Sequence, residues 1–134
     1  MRYEDWQNRF WTAMDESSRH PLVWGEQDCV LFGAKMADAI SDGGYTERAR
    51  TAFAWTNERD AVELIRNGLQ PLVESVLGEM QPWVRLSQGD LVLVVDDKQR
   101  ESIAVHDGCQ IIGKSATGVH PIPFRCVKGG WKVE

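Results

Sequence analysis

The sequence has no long apolar run. No stretch approaches the roughly 20 residues that a membrane-spanning helix needs. The opening MRYEDWQNRFWTAMD is charged and amphipathic, without the apolar centre of a secretory signal. The chain therefore reads as made in a cytoplasm, kept reduced, and free of a membrane span. It has no basic block either. Its 15 Lys and Arg are scattered among 20 Asp and Glu, giving a formal net charge of -5. That excludes the basic stripe by which nucleic-acid binders hold phosphates. There is no Cys-x-x-Cys pair. The three cysteines are 29, 109 and 126, an odd number that leaves at least one thiol free or paired with another chain. His106, Cys109, His120 and Cys126 fall in the C-terminal part, but without the paired spacing of structural zinc sites, so neither metal nor cofactor is expected. Two carboxylates at catalytic spacing are not apparent, and neither repeats nor low-complexity segments occur.

What is present is an ordinary globular composition, 43% hydrophobic over 134 residues, with six tryptophans. That length predicts one domain over 1–134 with a sizeable core. Residues 1 to about 80 carry helical periodicity and residues 89–134 read as strands, which predicts an α+β fold with the helices packed on a small antiparallel sheet. Trp6, Phe10, Ala13 and Met14 predict a helix over 3–16. A second, over 28–41, is apolar on most sides and therefore central to the core. TERARTAFAW (46–55) predicts a short helix. ERDAVELIRNG predicts another, with Ala61, Val62, Leu64 and Ile65 inward and Gly68 as terminator. QPLVESVLG starts with Pro71 in its first turn. Strands are expected at 91–95, 102–106, 109–113, 119–123 and 131–133, with DDKQRE and Asp107-Gly108 as hairpin turns.

The chemistry turns on Cys29, which opens the second helix. The helix start favours thiolate over thiol, one way to activate a nucleophile. A free cysteine also packs well as a small hydrophobe. Asp28 beside it reads as a helix cap. Trp24 reads as core, or as a wall of a cleft above Cys29. A cysteine nucleophile needs a base within hydrogen-bond reach, and His20, His106 and His120 are the histidines available.

Trp24-Gly25-Glu26-Gln27-Asp28-Cys29, the run Gly89-Asp90-Leu91-Val92 and the strand SIAVHDG together resemble the NlpC-type cell-wall cysteine peptidases of the papain-like superfamily. That family carries an Asp-Cys pair at a helix start, a Gly-Asp-Leu-Val strand, and then a strand opening with the catalytic histidine. Here Ser102, not a histidine, stands at that last position. Positions 102 and 106 lie about 13 Å apart along an extended strand, so His106 does not replace the missing residue without a register shift. With the C-terminal Trp131-Lys132-Val133, the chain is more closely similar to short phage and prophage proteins of this superfamily. The resemblance implies a compact papain-like, NlpC-like fold and a place in the virion, at the tail tip among other tail-tip proteins. Two functions follow as expectations. One is a structural tail component with a degenerate site. The other is a peptidase that cleaves peptidoglycan crosslinks during DNA delivery, with Cys29 as nucleophile, His106 or His120 as base, and Trp24, Asp28 and Ser102 lining the cleft.

Overall fold

A computed structural model describes residues 1–23, 28–53, 57–66 and 68–134, with the backbone alone at 61 and 64–66. Among these residues five helices precede five strands. The helices are α1 (Trp6–Ser18), α2 (Cys29–Ile40), α3 (Tyr45–Ala52), α4 (Glu58–Arg66) and α5 (Leu69–Leu77). The strands are β1 (Leu91–Val95), β2 (Glu101–His106), β3 (Ile111–Ser115), β4 (Gly118–Ile122) and β5 (Val127–Trp131), in the order β4-β3-β2-β1-β5 with every pairing antiparallel. The fold is α+β, helices first and sheet second.

α2 is the centre because its sequence is apolar on most sides, with Lys35 and Asp38 its polar residues. Cys29, Val30, Leu31, Phe32, Ala34, Met36, Ala37 and Ile40 are all buried. It packs on α1, α3 and β2. Gly33 is what lets α2 approach the sheet, since a Cβ there would stand 2.7 Å from Ile103 Cγ2. Asp38 then turns the chain into α3 by accepting the N–H groups of Tyr45 (2.6 Å) and Thr46 (2.9 Å). Glu101 does the same for α5 from the neighbouring strand, accepting Leu69 N–H at 2.7 Å and Gln70 N–H at 3.3 Å.

β1 reads LVLVV without alternation because both of its faces are covered. Leu91 and Leu93, with Ile103 and Val105 of β2, face the helices. Val92, Val94 and Ala104 face a second, smaller cluster with Leu86 and Ile111, flanked by Trp83, Ile122, Cys126 and Val127. β2 pairs with β1 along five positions but with β3 only at Val105↔Ile112 and His106↔Ile111. Beyond those two pairs the β3–β4 hairpin parts from β2, and the opening becomes a cleft.

Four expectations need correction. α1 begins at Trp6, not residue 3, because Arg2 forms a β-bridge with Ser41 and Tyr3 N–H donates to Ile40 O. Cys109 is not a core strand residue. Asp107 Oδ1 takes the N–H groups of Cys109 and Gln110, holding Cys109 exposed in the β2–β3 turn, and β3 starts at Ile111. The last strand starts at Val127, because Gly129 and Gly130 pair in it rather than break it. A Cβ on Gly130 would lie 2.0 Å from Leu91 O, so only glycine fits. Val62 is 39% exposed rather than inward, because α4 lies at the surface beside the cleft. The inward placement of Ala61, Leu64 and Ile65 lies outside the described side chains.

Candidate functional site

The parting of β2 from the hairpin leaves a cleft of about 730 Å³. Cys29, Ser102, Ile103, Gly113, Lys114, His120, Ile122 and Cys126 are among its described lining residues. Three of the sequence-derived site residues, Cys29, Ser102 and His120, therefore share one opening. Trp24 lies outside the described residues.

Cys29 is the first residue of α2. Asp28 is its N-cap, in extended conformation, and accepts the Leu31 N–H at 2.9 Å. The capping role read from the Asp-Cys pair is the one observed. The thiol is only 8% exposed. Burial pushes it up to about 11, and the Asp28 carboxylate adds to the rise. The backbone N–H of Ile103, with those of Val30 and Cys29 itself, pulls the other way and does not win. A helix start is worth about 0.3–1 kcal/mol to an anion, too little to offset removal from water. The Ile103 N–H interacts with the sulfur, beyond the two positions at which β3 pairs with β2.

The histidines stand elsewhere. Alternation along β2 puts Ser102, Ala104 and His106 on one face and Ile103 and Val105 on the α2 face. His106 closes β2, stacked on Trp83 with ring centroids 4.7 Å apart and planes at 13°. Its Nδ1 accepts the Gly108 N–H at 2.9 Å, which leaves the ring proton on Nε2. Burial lowers its pKa, against the nearby Asp90 and Asp107 carboxylates, so the neutral ring is favoured. His106 does not line the cleft. His120 pairs across from Gly113, on the face of Ile111 and Ile122, and is exposed at the rim. His20 contributes its backbone carbonyl to Lys114 Nζ, which also reaches Ser17 O and so caps the end of α1. Among the described hydrogen bonds none joins a histidine to the thiol.

Sequence reasoning missed a second polar centre. Asp90 reads as the residue that leads into β1, yet its carboxylate is fully buried. Oδ1 takes Arg2 at 2.9 Å and the Val133 N–H at 3.0 Å. Oδ2 takes Lys132 Nζ at 2.7 Å and the Ser87 N–H at 2.8 Å. Arg2 also donates to Val133 O and Gln88 O. One carboxylate thus ties residues near both ends of the sequence, Arg2 with Lys132 and Val133, to the start of β1. The Gly-Asp-Leu-Val run and the Trp-Lys-Val ending, noted separately, are two halves of this contact. Among the described residues no group of three His, Cys, Asp or Glu side chains is arranged to hold a metal ion. No described helix is long and apolar enough to cross a membrane.

Fold and site together define an α+β domain whose central helix opens on a buried cysteine at the floor of a cleft. The chain belongs to the family described as Domain of unknown function (DUF6950), whose model matches residues 1–133. No curated protein matches it. No solved structure matches it.

Proposed function

We propose that this chain is a structural component of a phage tail tip, built on an NlpC-like peptidase fold whose helix-opening cysteine serves packing instead of attack. The observation that carries the non-catalytic part is the state of Cys29. It is buried and met by backbone N–H groups rather than an imidazole, and burial raises its pKa. The tail-tip assignment rests on the resemblance of WGEQDC, GDLV and WKV to phage proteins of that superfamily. Ser102 at the family's histidine position agrees with it. In this role the fold is a docking body, because a fold does not carry its chemistry with it.

One observation favours the second reading, an active peptidase. Cys29 and His120 line the same cleft, and catalytic hydrogen bonds tighten on substrate binding. A single experiment separates the two. Phage carrying Cys29→Ala is compared with the parent for particle yield, presence of the protein in purified tails, and release of peptides from peptidoglycan. The structural role predicts the protein in purified tails, parental infectivity for Cys29→Ala, and no Cys29-dependent peptide release. Peptide release lost with Cys29→Ala overturns that role and establishes the peptidase. Absence of the protein from purified tails overturns the tail-tip assignment.

A further inference from the structure

Two short turns lie on the outer face of the sheet and share a pattern. Pro82 leads into a 3-10 turn at Trp83–Arg85, and Pro123 leads into another at Phe124–Cys126. Each places an aromatic residue at its start and an arginine within the turn. The two meet. Phe124 packs edge-on against Trp83, with centroids 5.2 Å apart at 79°, and Trp83 is backed on its other side by the stacked ring of His106. Held between those two rings, Trp83 is half-buried, and it presents its neighbours outward. Val84 is 87% exposed and Phe124 61%, with both prolines exposed beside them. Nothing in the packing of the sheet requires that exposure, since the cluster beneath, Leu86, Val92, Val94, Ala104 and Ile111, is already buried.

The charges on this surface are the second observation. Acids outnumber bases in the chain, 20 to 15. Arg2, Arg9, Arg19 and Arg100 each sit on a carboxylate. Arg85 and Arg125 are exposed and, like Arg48, Arg50 and Arg59, are not among the described ion pairs. Arg85 reaches only the side-chain carbonyl of Gln81, at 3.2 Å. Arg125 also borders a polar groove whose acids are Asp96, held by Arg100, Glu101, held by Lys128, and Asp97, which is not among the described ion pairs. Exposed apolar side chains in two touching turns that each carry an exposed arginine form a surface that complements carboxylates set beside an apolar residue. Aromatic and arginine side chains are the ones that dominate binding energy at interfaces. The prolines and the ring stack fix the surface in advance, so little ordering entropy is lost on contact. Two-fold packing of the patch on its own copy would set arginine against arginine. The net charge of the chain opposes nucleic acid as the occupant.

We propose that the paired turns 82–85 and 123–126 form a docking platform for an acidic segment of a partner protein that carries an apolar side chain between its carboxylates. The proposal does not depend on the tail-tip reading, because it rests on the outward side chains of these turns, although Pro123 and Cys126 also border the cleft that Cys29 lines.

The test uses the whole chain, labelled with nitrogen-15, and three probes: a capped peptide alternating Glu with Leu and Phe, the same peptide with Lys for Glu, and an eight-nucleotide oligo-dT. The acidic peptide is expected to shift the amide resonances of 83–86 and 124–127, and to lose at least tenfold in affinity in the double variant Arg85→Glu, Arg125→Glu. Raising salt from about 0.05 to 0.5 M should weaken it as well, since exposed charges are screened at that ionic strength. Phe124→Ser should weaken binding with the arginines intact. An unchanged spectrum elsewhere in each variant shows that the fold persists. The proposal is overturned if the acidic peptide leaves these resonances unmoved at millimolar concentration, if the lysine peptide binds equally, or if oligo-dT binds there in its place.

Discussion

Replacing Asp90 with Asn should cost about 3 kcal/mol of stability. The substitution keeps the shape of the side chain and removes its charge. In the folded protein that charge is wholly out of water, between Arg2 and Lys132, with the N–H groups of Val133 and Ser87 completing its shell. Breaking a buried ion pair from one side costs about 3–5 kcal/mol, because the partner is left without its counter-charge. The lower end applies here. The Lys132 side chain is 37% exposed and regains water. Arg2, whose side chain is 19% exposed, keeps its bonds to Val133 O and Gln88 O. The amide also turns an acceptor into a donor that faces either an N–H or a cation. Urea unfolding measures the effect. With a slope of about 2 kcal/mol per molar for a chain of this size, the midpoint should fall by roughly 1.5 M. Arg2→Met should lose less, because the carboxylate retains Lys132 and two N–H donors. A loss below about 1 kcal/mol for Asp90→Asn would refute the view that this carboxylate joins the two ends of the chain to β1.

Three further outcomes follow from the packing. His106 is held neutral by burial against Trp83, with Asp90, Asp107 and Lys132 as its charged neighbours. Its folded pKa lies below its unfolded value of about 6.5, so the unfolded chain binds the extra proton and stability falls as pH drops below that value. His106→Gln should flatten the pH 5–7 part of the stability curve, and an unchanged slope would refute this. Glu101 is drawn two ways. Burial raises its pKa, while Lys128 and the N–H groups of Gln70 and Leu69 lower it, and the lowering prevails. Glu101→Ala should cost about 1–2 kcal/mol through loss of the α5 cap and increase amide exchange at Leu69 and Gln70. Gly33→Ala sets a helix-propensity gain of about 1 kcal/mol against an overpacking cost of about 1–3 kcal/mol. The 2.7 Å approach to a methyl on the branched carbon of Ile103 favours the cost, so a net loss of about 1 kcal/mol is expected on thermal unfolding.

How much of this was legible in the sequence depended on whether a residue's role was local. α2 and β1 were readable because apolar runs of helical and strand length have one interpretation inside a core. Asp28 was readable as a cap because capping needs only the residues that follow it. Asp90 was not. Its partners, Arg2 and Lys132, lie at opposite ends of the chain, and nothing in Gly-Asp-Leu-Val states that the carboxylate will be dehydrated. The same limit explains Gly129 and Gly130, which look like breakers until β1 is placed against them. The state of Cys29 was also long-range. Its position at a helix start is visible in the sequence, but its burial comes from β2, which begins at Glu101, far along the chain from the end of α2 at Ile40, and burial decides the ionisation. The platform at 82–85 and 123–126 was invisible for a related reason, since its halves meet only after the sheet forms.

The direct test of Cys29 as a packing residue is the rate of its alkylation against pH, in the folded protein with Cys109 and Cys126 replaced by serine. The account predicts slow modification at pH 7, rising only in the alkaline range toward the value of about 11 that burial imposes, and becoming fast once the chain is unfolded. Rapid modification of the folded protein with an apparent pKa well below the free-cysteine value of about 8.5 would contradict it, and would show an accessible thiolate ready for attack.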